Sequence, residues 1–418
     1  MPLLVLSILF NAAIAAAIRS SIDGRRKRFL VVGIVVNVSV LVLFKYTGFI
    51  ADSASRVGLH LPAIKVAHFP LGLSFFTVQQ IMMLIDCYER LVNIRTLREN
   101  FSFVAFFPSL LLGPIARART MLPQLTGETW QPERTAEGLA LLVLGLAKKV
   151  ILADSLAVVS NAGFGTSTTW STADAWLAST AYSLQLYFDF SGYSDMAIGA
   201  GLLLGIQLPL NFNVPFRSRS IAEFWQRWHM TLTSFINTYL FTPIIRSMGK
   251  ATLSKSFIAT FLSMLIAGLW HGPSWTYVLF GALHGIALIV NQYSKKRKLK
   301  LPSGVALVAT LIFLNTAFIV FRAPSVRFAF DGIQSLIPFG ARSFDLGAWT
   351  RELSLMPSVA LMLAAGATSY FGPSSQELAK TLATGPATRR LALLFALSVV
   401  AMVMMTSGRQ AQFVYNQF

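Results

Sequence analysis

The chain has 418 residues, of which 55% are hydrophobic and only 12% are charged, about half the charged share of soluble proteins. The formal net charge is +18, but the basic residues stand in short clusters between apolar runs, which is typical of cytoplasmic loops and argues against nucleic acid as a partner. Cys87 is the only cysteine, so a disulfide framework is excluded and a thiolate metal site is not indicated. The composition predicts a multi-pass protein of the lipid bilayer.

The N-terminal apolar run is predicted to be the first membrane helix. Its positive charges, from Arg19 to Arg28, follow the run instead of preceding it, which is the reverse of a signal peptide. The N-terminus is therefore expected outside, with residues 19–28 and 87–99 in the cytoplasm.

Eleven apolar segments suit membrane helices, each of which needs roughly 20 residues. They are residues 3–18, 29–50, 69–86, 136–160, 173–190, 195–210, 256–270, 275–292, 303–321, 354–371 and 390–406. The runs are too long for barrel strands and do not alternate. We therefore predict an all-α bundle of about 11 membrane helices, with re-entrant or interfacial helices, in a single domain over residues 1–418 whose core motifs lie at 70–325.

Two further segments are apolar but broken or amphipathic, at residues 100–115 and 221–245. The charges between them do not give one consistent topology. If residues 173–190 and 195–210 both span the membrane, Arg217 and Arg219 fall on the outside. One segment in this half of the chain must then be re-entrant, and irregular backbone at membrane depth needs protein or a water-filled cavity around it. The count thus predicts a central cavity.

Five histidines are candidates for chemistry in the membrane. His60 and His68 are interpreted as loop residues before the third span. His271 ends an apolar run in the stretch AGLWHGPSW, where Gly272 permits a turn and Pro273 suits the first turn of a new helix. An imidazole can take and return a proton near physiological pH. The alternative is a histidine that bonds a neighbouring carbonyl and packs a helix kink.

His229 lies in the stretch SRSIAEFWQRWHMTLTSF. Ser220 and Glu223 match the S-x-x-E pattern of a capping box, and Glu223 and Arg227 are spaced to pair across one helical turn. The apolar side chains that fall on one stripe are Ile221, Phe224, Trp225, Trp228 and Leu232. The pattern predicts an amphipathic helix at the membrane interface, in which His229 is either functional or incidental.

The remaining polar residues in apolar surroundings are weaker candidates. His284, inside the run 275–292, is interpreted as a buried histidine satisfied by its neighbours. Asp189 and Asp195 flank a Ser-Gly pair that is predicted to break a helix, so Asp195 either caps the following helix or serves catalysis. The histidine spacing fits no metal-ligand motif, and no metal site is predicted.

Seven stretches occur in an order that is characteristic as a set. They are PLGLSFFTVQQIMMLIDCY at 70–88, FFPSLLLGPIARA at 106–118, LQLYFDFSGYSDMAIGAGLLLGI at 184–206, NFNVPFRSRSIAEFWQRWHMTL at 211–232, AGLWHGPSWTYVLFGALHG at 267–285, FIVFRAPS at 318–325 and the final QFVYNQF. Over nearly its whole length the chain resembles the membrane-bound O-acyltransferase family, in particular the bacterial branch of the alginate O-acetylase type. It starts after the one or two apolar segments with which members usually begin, and it is shorter between residues 325 and 390.

The resemblance implies a catalytic pair. His271, in the W-H-G motif, corresponds to the catalytic histidine, and His229, in the F-W-x-R-W-H motif, to its partner, both near the middle of a tunnel across the membrane. It further implies acyl transfer from a cytoplasmic thioester, acetyl-CoA, to a hydroxyl. His271 is then the general base, and His229 orients the acyl group or polarises its carbonyl oxygen.

The resemblance also suggests residues that meet the substrates. The side chains expected at the acyl-transfer site are Trp225, Trp228, Arg227, Trp270 and Asp195, with Trp275 also shaping the tunnel. Arg217 and Arg219 are expected to contact the phosphates of acetyl-CoA, unless they belong to ordinary positive-inside loops. No permanently bound cofactor is expected.

The expected setting is the bacterial inner membrane, with an extracytoplasmic acetyltransferase- or esterase-like partner and polysaccharide export machinery. One alternative is transfer of D-alanine from a carrier protein to teichoic acid. Another is a transporter or flippase for acyl groups or polymer, which the lack of a visible internal repeat disfavours. A structural scaffold for an export complex would not need a histidine at a helix break.

Overall fold

The computed structural model describes residues 2–61, 70–127, 131–165, 170–338, 355–406 and 411–414. Every regular element in those ranges is helical, which confirms the all-α prediction. The chain divides into two compact units. The first comprises Met1–Leu139 with Ala197–Leu210, and the second Ala140–Met196 with Asn211–Phe418.

The first unit is built on three mutually packed apolar helices, α1, α2 and α4. Its helices are α1 Pro2–Ser20, α2 Asp23–Lys45, α3 Thr47–Ser55, α4 Leu73–Tyr88, α5 Leu97–Val104, α6 Phe107–Leu110 and α7 Ala118–Thr126. Asn11 of α1 and Asn37 of α2 exchange two buried hydrogen bonds of 3.1 and 2.7 Å. Because each amide satisfies the other, both can be buried between apolar helices at little cost.

The later helices carry the candidate site. They are α8 Pro132–Ala147, α9 Asp154–Gly165, α10 Thr172–Leu203, α11 Ile221–Arg227, α12 Met230–Phe235, α13 Thr242–Ser247, α14 Leu253–His271, α15 Trp275–Lys296, α16 Ser303–Arg322, α17 Val326–Ser335, α18 Leu355–Phe371, α19 Ser375–Thr384 and α20 Ala387–Thr406. Two π-helical segments interrupt them, Lys148–Ala153 between α8 and α9 and Ile236–Phe241 between α12 and α13. Such segments often mark functional positions.

Four described helices are long and apolar enough to cross a membrane. They are α1, the part of α2 from Gly24, α14 and α16, and shorter apolar helices occur at Leu73–Tyr88, Met356–Phe371 and Leu391–Thr406. The structure thus supports a multi-pass membrane protein, while the predicted total of about 11 spans is not confirmed.

Helix α10 overturns the prediction of two spans at 173–190 and 195–210. It runs unbroken for 32 residues through Ser191 and Gly192. A Cβ atom on Gly192 would lie 2.7 Å from the carbonyl oxygen of Gly145 in α8, and one on Gly145 would lie 2.5 Å from that of Gly192. Gly192 therefore permits close helix packing and does not break the helix. The prediction of a central cavity assumed that these two segments cross the membrane separately. Since they form one helix, that assumption no longer supports a cavity.

The helix boundaries around His271 are those predicted from the sequence, but Gly272 and Pro273 do not have the roles predicted for them. Helix α14 ends on His271 and α15 begins at Trp275, as predicted. Gly272 is extended, with φ −173°, so it is not needed for a turn; a Cβ there would lie 2.3 Å from Cε2 of Tyr277. Pro273 lies outside the new helix, which Ser274 caps by accepting a 3.3 Å hydrogen bond from the Thr276 N–H.

Two histidines, His60 and His68, were interpreted as loop residues. His60 is exposed in the loop after α3, which confirms the interpretation of a loop residue, and His68 lies outside the described residues.

We predict that Gly192→Ala destabilises the protein. The added methyl must push the Gly145 backbone away, and overpacking of this kind typically costs about 1–3 kcal/mol. The measurement is the thermal unfolding midpoint of purified protein in detergent. Gly366→Ala is the matched control, because Gly366 lies inside α18 and a Cβ atom added there would meet nothing within 4 Å. Equal midpoints for the two variants would contradict the close contact of α8 and α10.

Candidate active site

His229 lies at a break in the predicted amphipathic helix. Helix α11 ends at Arg227, and His229 is the residue before α12, in the left-handed region with φ 42° and ψ 52°. Its side chain is fully buried. A left-handed conformation costs a non-glycine residue roughly 1–2 kcal/mol, and such strain tends to persist at functional positions. His229 is one of four described non-glycine residues with positive φ, together with Arg90, Val214 and Lys298.

At the start of α11, one of the two hydrogen bonds of the predicted capping box is present. The Ser220 hydroxyl accepts a 3.1 Å hydrogen bond from the Glu223 N–H. The Glu223 carboxylate bonds the N–H of Arg219 at 2.9 Å, not that of Ser220. The predicted pair of Glu223 with Arg227 is present at 3.0 Å. The apolar stripe of this segment is buried inside the protein, with Trp225 and Trp228 no more than 5% exposed.

Asn211 holds His229 in place. The Met230 N–H donates to the backbone carbonyl of Asn211 at 2.9 Å, which draws the two segments together. The Asn211 side chain is held as well: its Oδ1 atom accepts from the Thr231 N–H at 3.3 Å, and its Nδ2 group donates to the Ser194 hydroxyl at 3.0 Å. Because a backbone N–H can only donate, the bond from the Thr231 N–H requires the oxygen of the Asn211 amide, and not its nitrogen, to face α12.

The orientation of Asn211 determines the tautomer of His229. The Nδ1 atom of His229 lies 3.1 Å from Asn211 Oδ1, and a carbonyl oxygen only accepts. Nδ1 must therefore carry the proton and donate. In the neutral ring the lone pair is then on Nε2, which makes Nε2 an acceptor for a substrate hydroxyl and a candidate base.

The structure brings His229 and His271 to the same centre. The ring of Trp270 lies 6.3 Å from that of His229 and 5.2 Å from that of His271, between centroids. His271 is 6% exposed. Three residues that the resemblance suggested therefore form one cluster.

Aromatic rings enclose this centre. Phe190 of α10 packs edge-on against His229 at 4.8 Å, and Phe321 of α16 packs against His271 at 5.2 Å. Trp228 belongs to this shell through Phe212 at 5.1 Å and Phe224 at 5.3 Å. Such surroundings lower the local dielectric response, so hydrogen bonds and charges at the histidines act more strongly than in water.

Trp225 and His284 form a second polar contact next to the pair. The indole N–H of Trp225 donates to Nδ1 of His284 at 3.1 Å. The neighbour therefore satisfies one ring nitrogen, whereas Nε2 of His284 has no hydrogen-bond partner among the described residues. The ring of Phe280 is near both this contact and the catalytic candidate: its centroid is 4.4 Å from that of His284 and 6.0 Å from that of His271.

Trp225 also lines a cavity of about 210 Å³. Its polar lining includes Thr260, Ser263 and Gln292, and the Gln292 side chain donates to the Thr260 hydroxyl at 2.7 Å. The Ser263 hydroxyl is buried without a hydrogen-bond partner in the described part of the chain. The cavity therefore offers hydroxyl and amide groups beside apolar side chains, which include Trp225 and Phe241. The predicted tunnel itself stays a prediction.

The other predicted site residues have separate partners. Asp195 lies inside α10, where it pairs with Lys148 at 2.7 Å and accepts from Gln376 at 3.1 Å, so the predicted helix cap is wrong. Arg217 donates to the carbonyl of Tyr370 and, at 2.7 Å, to that of Gly372.

Arg219 and Trp275 are exposed, Trp275 by 48%. Roles for these residues and for Arg227 at a substrate stay predictions.

Asp189 belongs to a buried ionic cluster. Lys149 lies 2.7 Å from Asp189 and 2.8 Å from Asp154. The other oxygen of Asp189 accepts from the Val414 N–H at 2.7 Å, and Lys149 donates to the Ala411 carbonyl at 2.9 Å. The cluster therefore binds the backbone of the C-terminal stretch, which accounts for the charge of Asp189 inside an apolar helix.

Sequence reasoning missed Asn211 and the aromatic partners Phe190, Phe280 and Phe321. The only signal for Asn211 was a polar residue in the stretch NFNVPF, because its bond to His229 depends on two backbone segments meeting. The phenylalanines are indistinguishable by sequence from ordinary core residues.

The fold and this centre define an all-helical membrane protein with two buried histidines at helix ends. The chain belongs to the membrane-bound O-acyltransferase family, whose model matches residues 29–321. It is 38% identical to the peptidoglycan O-acetyltransferase of Helicobacter pylori, over 85% of this chain and 73% of that protein.

Two further relatives are named for different reactions. The probable alginate O-acetylase AlgI of Pseudomonas aeruginosa is 34% identical over 75% of this chain, and the match spans only 61% of AlgI. The teichoic acid D-alanyltransferase of Bacillus subtilis is 29% identical over 63% of this chain and 70% of that protein. Similarity is thus higher to the relatives named for O-acetylation.

We predict that Asn211→Leu lowers acyl transfer by about 100-fold, because a reacting group displaced by roughly 1 Å can cost that much. The measurement is the transfer rate per folded protein in membranes. Asn315→Leu is the matched control, since Asn315 is also a buried amide but bonds Ser179 at 2.8 Å and Ser183 at 3.0 Å. Equal rate losses in the two variants would show that Asn211 acts only through stability.

Proposed function

We propose that the chain transfers acetyl groups from cytoplasmic acetyl-CoA to hydroxyls of an exported, alginate-like polysaccharide. The observation that carries this proposal is the buried centre in which Asn211 orients His229 beside Trp270 and His271. The names of the relatives with 34–38% identity support the acetyl group as cargo. Family membership supports acyl transfer as the reaction.

The reaction needs one base at the attacking hydroxyl. His271 takes the proton as the hydroxyl oxygen attacks the thioester carbonyl carbon. When the tetrahedral intermediate collapses, the carbon–sulfur bond breaks and His271 returns the proton to the leaving thiolate. The products are the acetyl ester and coenzyme A, and the histidine is regenerated.

His229 orients the acceptor. In its neutral form Nε2 accepts a hydrogen bond and cannot polarise a carbonyl oxygen, so the geometry favours orientation over electrophilic assistance. A sugar carries neighbouring hydroxyls. One of them donates to Nε2 of His229 while the next gives its proton to His271. The aromatic shell excludes water, which would otherwise compete as the attacking nucleophile.

The cavity beside Trp225 is the candidate entrance for the donor's thioester arm. Its hydroxyl and amide groups match the amides in the arm of coenzyme A, and Ser263 lies eight residues before His271 on α14, about 12 Å along the helix axis. In this arrangement the phosphates of coenzyme A stay outside the cavity. Their candidate partners are Arg217, Arg219 and Arg227. Trp225, Trp228, Trp270 and Trp275 shape the path, and Asp195 supports it from α10.

The setting we propose is the bacterial inner membrane, with an extracytoplasmic acetyltransferase- or esterase-like protein completing transfer within the export machinery. D-alanine transfer from a carrier protein is the second candidate, because relatives named for it match at 29% identity. Labelled acetyl-CoA and a D-alanyl carrier protein, offered separately to the same membranes, distinguish the two donors.

We predict that His271→Ala abolishes acetylation while the protein level in the membrane is unchanged. Removal of a general base typically costs 10²–10⁴-fold, and His60→Ala, in an exposed loop, leaves the rate intact. The assay follows labelled acetyl groups from acetyl-CoA to polymer. Undiminished transfer by His271→Ala would refute the catalytic assignment.

We predict that Ser263→Phe lowers kcat/KM for acetyl-CoA at least about tenfold, as expected when a side chain fills a substrate pocket. The control is Ser254→Phe, the same change at an exposed position of α14. The donor dependence is measured with each variant. If Ser263→Phe matched the wild type, the donor arm would have to enter elsewhere.

A further inference from the structure

A second cavity, of about 320 Å³, lies at one end of the first unit. It is enclosed by the end of α1, the start of α2 and the end of α4 with the loop that follows. Its charged lining consists of three arginines, Arg19, Arg26 and Arg90, and none of its described lining residues is acidic. The cavity has no part in the proposed acyl transfer.

Backbone carbonyls hold two of these arginines at the cavity wall. Arg19 donates to the carbonyl of Ile94 at 2.6 Å, and Arg26, which is 7% exposed, donates to that of Tyr88 at 2.7 Å. These two bonds therefore fix the positions of two positive groups beside one cavity.

Arg90 reaches the cavity from a strained backbone position. Helix α4 ends in a Schellman motif, in which the Leu91 N–H donates to the carbonyl of Asp86 at 2.8 Å. The residue before Leu91 must then be left-handed, and it is usually glycine. Here it is Arg90, with φ 61°. An arginine at this position is less favourable for the fold than glycine.

The cavity lies where apolar spans end. In α2 only 11% of the span is buried inside the protein, and Val31, Val32 and Val35 are about half exposed. These surfaces face lipid chains in a membrane, so the arginines at the ends of α1 and α2 lie near the depth of the headgroups. Basic pockets at this depth are suited to anionic lipid.

We propose that the three arginines bind the phosphate of an anionic phospholipid headgroup, with the lipid chains lying along α1 and α2. Guanidinium groups bind phosphate oxygens through charge-assisted bonds. A soluble phosphate compound shares this chemistry, but the lipid is favoured because its chains continue onto the exposed apolar faces beside the cavity.

Arg90→Gly tests the site, because it removes one charge and also relieves the strained backbone. Lys298→Gly is matched to it: Lys298 follows α15 with φ 56°, and the Leu299 N–H closes the same motif on Ser294 at 2.9 Å. Purified full-length protein in neutral detergent is titrated with short-chain phosphatidylglycerol or phosphatidylcholine. Binding is read from the rise in the thermal midpoint with lipid concentration.

We expect both variants to unfold no lower than the wild type without lipid. Phosphatidylglycerol raises the midpoint of the wild type and of Lys298→Gly, and phosphatidylcholine does not. Arg90→Gly binds phosphatidylglycerol roughly five- to tenfold more weakly. Equal responses of the two variants overturn the site. A midpoint shift with coenzyme A or inorganic phosphate, and none with phosphatidylglycerol, overturns the lipid as its occupant.

Discussion

The hydrogen bond between Asn211 and His229 is the interaction on which the rest of the active-site account depends. It selects which ring nitrogen of His229 donates and which one is left to accept. The bond in turn requires the Asn211 amide to be held by Thr231 and by Ser194 of α10. Ser194 lies on α10 two residues after Gly192, where α10 packs closely against Gly145 of α8. Helix packing and histidine chemistry are thus linked through one buried amide.

Both histidines of the pair stand at helix ends, and this position has a physical reason. A side chain at the end of α14 or the start of α12 lies beside backbone that is no longer committed to helical hydrogen bonds. The aromatic rings of α10, α14 and α16 then close around the imidazoles, so that a proton moves in surroundings poor in water. In the arginine cavity of the first unit, by contrast, charged side chains gather at the helix ends.

Local patterns in the sequence predicted local structure well. The Gly-Pro pair located the boundary between α14 and α15. The periodic apolar residues around Trp225 indicated a helix, but the structure divides that segment into α11, which ends at Arg227, and α12, which begins at Met230. The failures came from contacts between distant residues. Gly192 suggested a helix break because its partner Gly145 lies 47 positions away. The bonds of Arg217 to the carbonyls of Tyr370 and Gly372 were likewise not visible in a pattern, while its role as a phosphate ligand stays a prediction. Asn211 was missed for the same reason.

The most direct test of the central claim is the tautomer of His229. Solid-state NMR of protein with ¹⁵N-labelled histidine in lipid bilayers, with His229 assigned by substitution, reports which ring nitrogen carries the proton. The account predicts a neutral His229 protonated at Nδ1, and loss of this tautomer preference in Asn211→Leu. A resting enzyme in which Nε2 of neutral His229 carries the proton would contradict it.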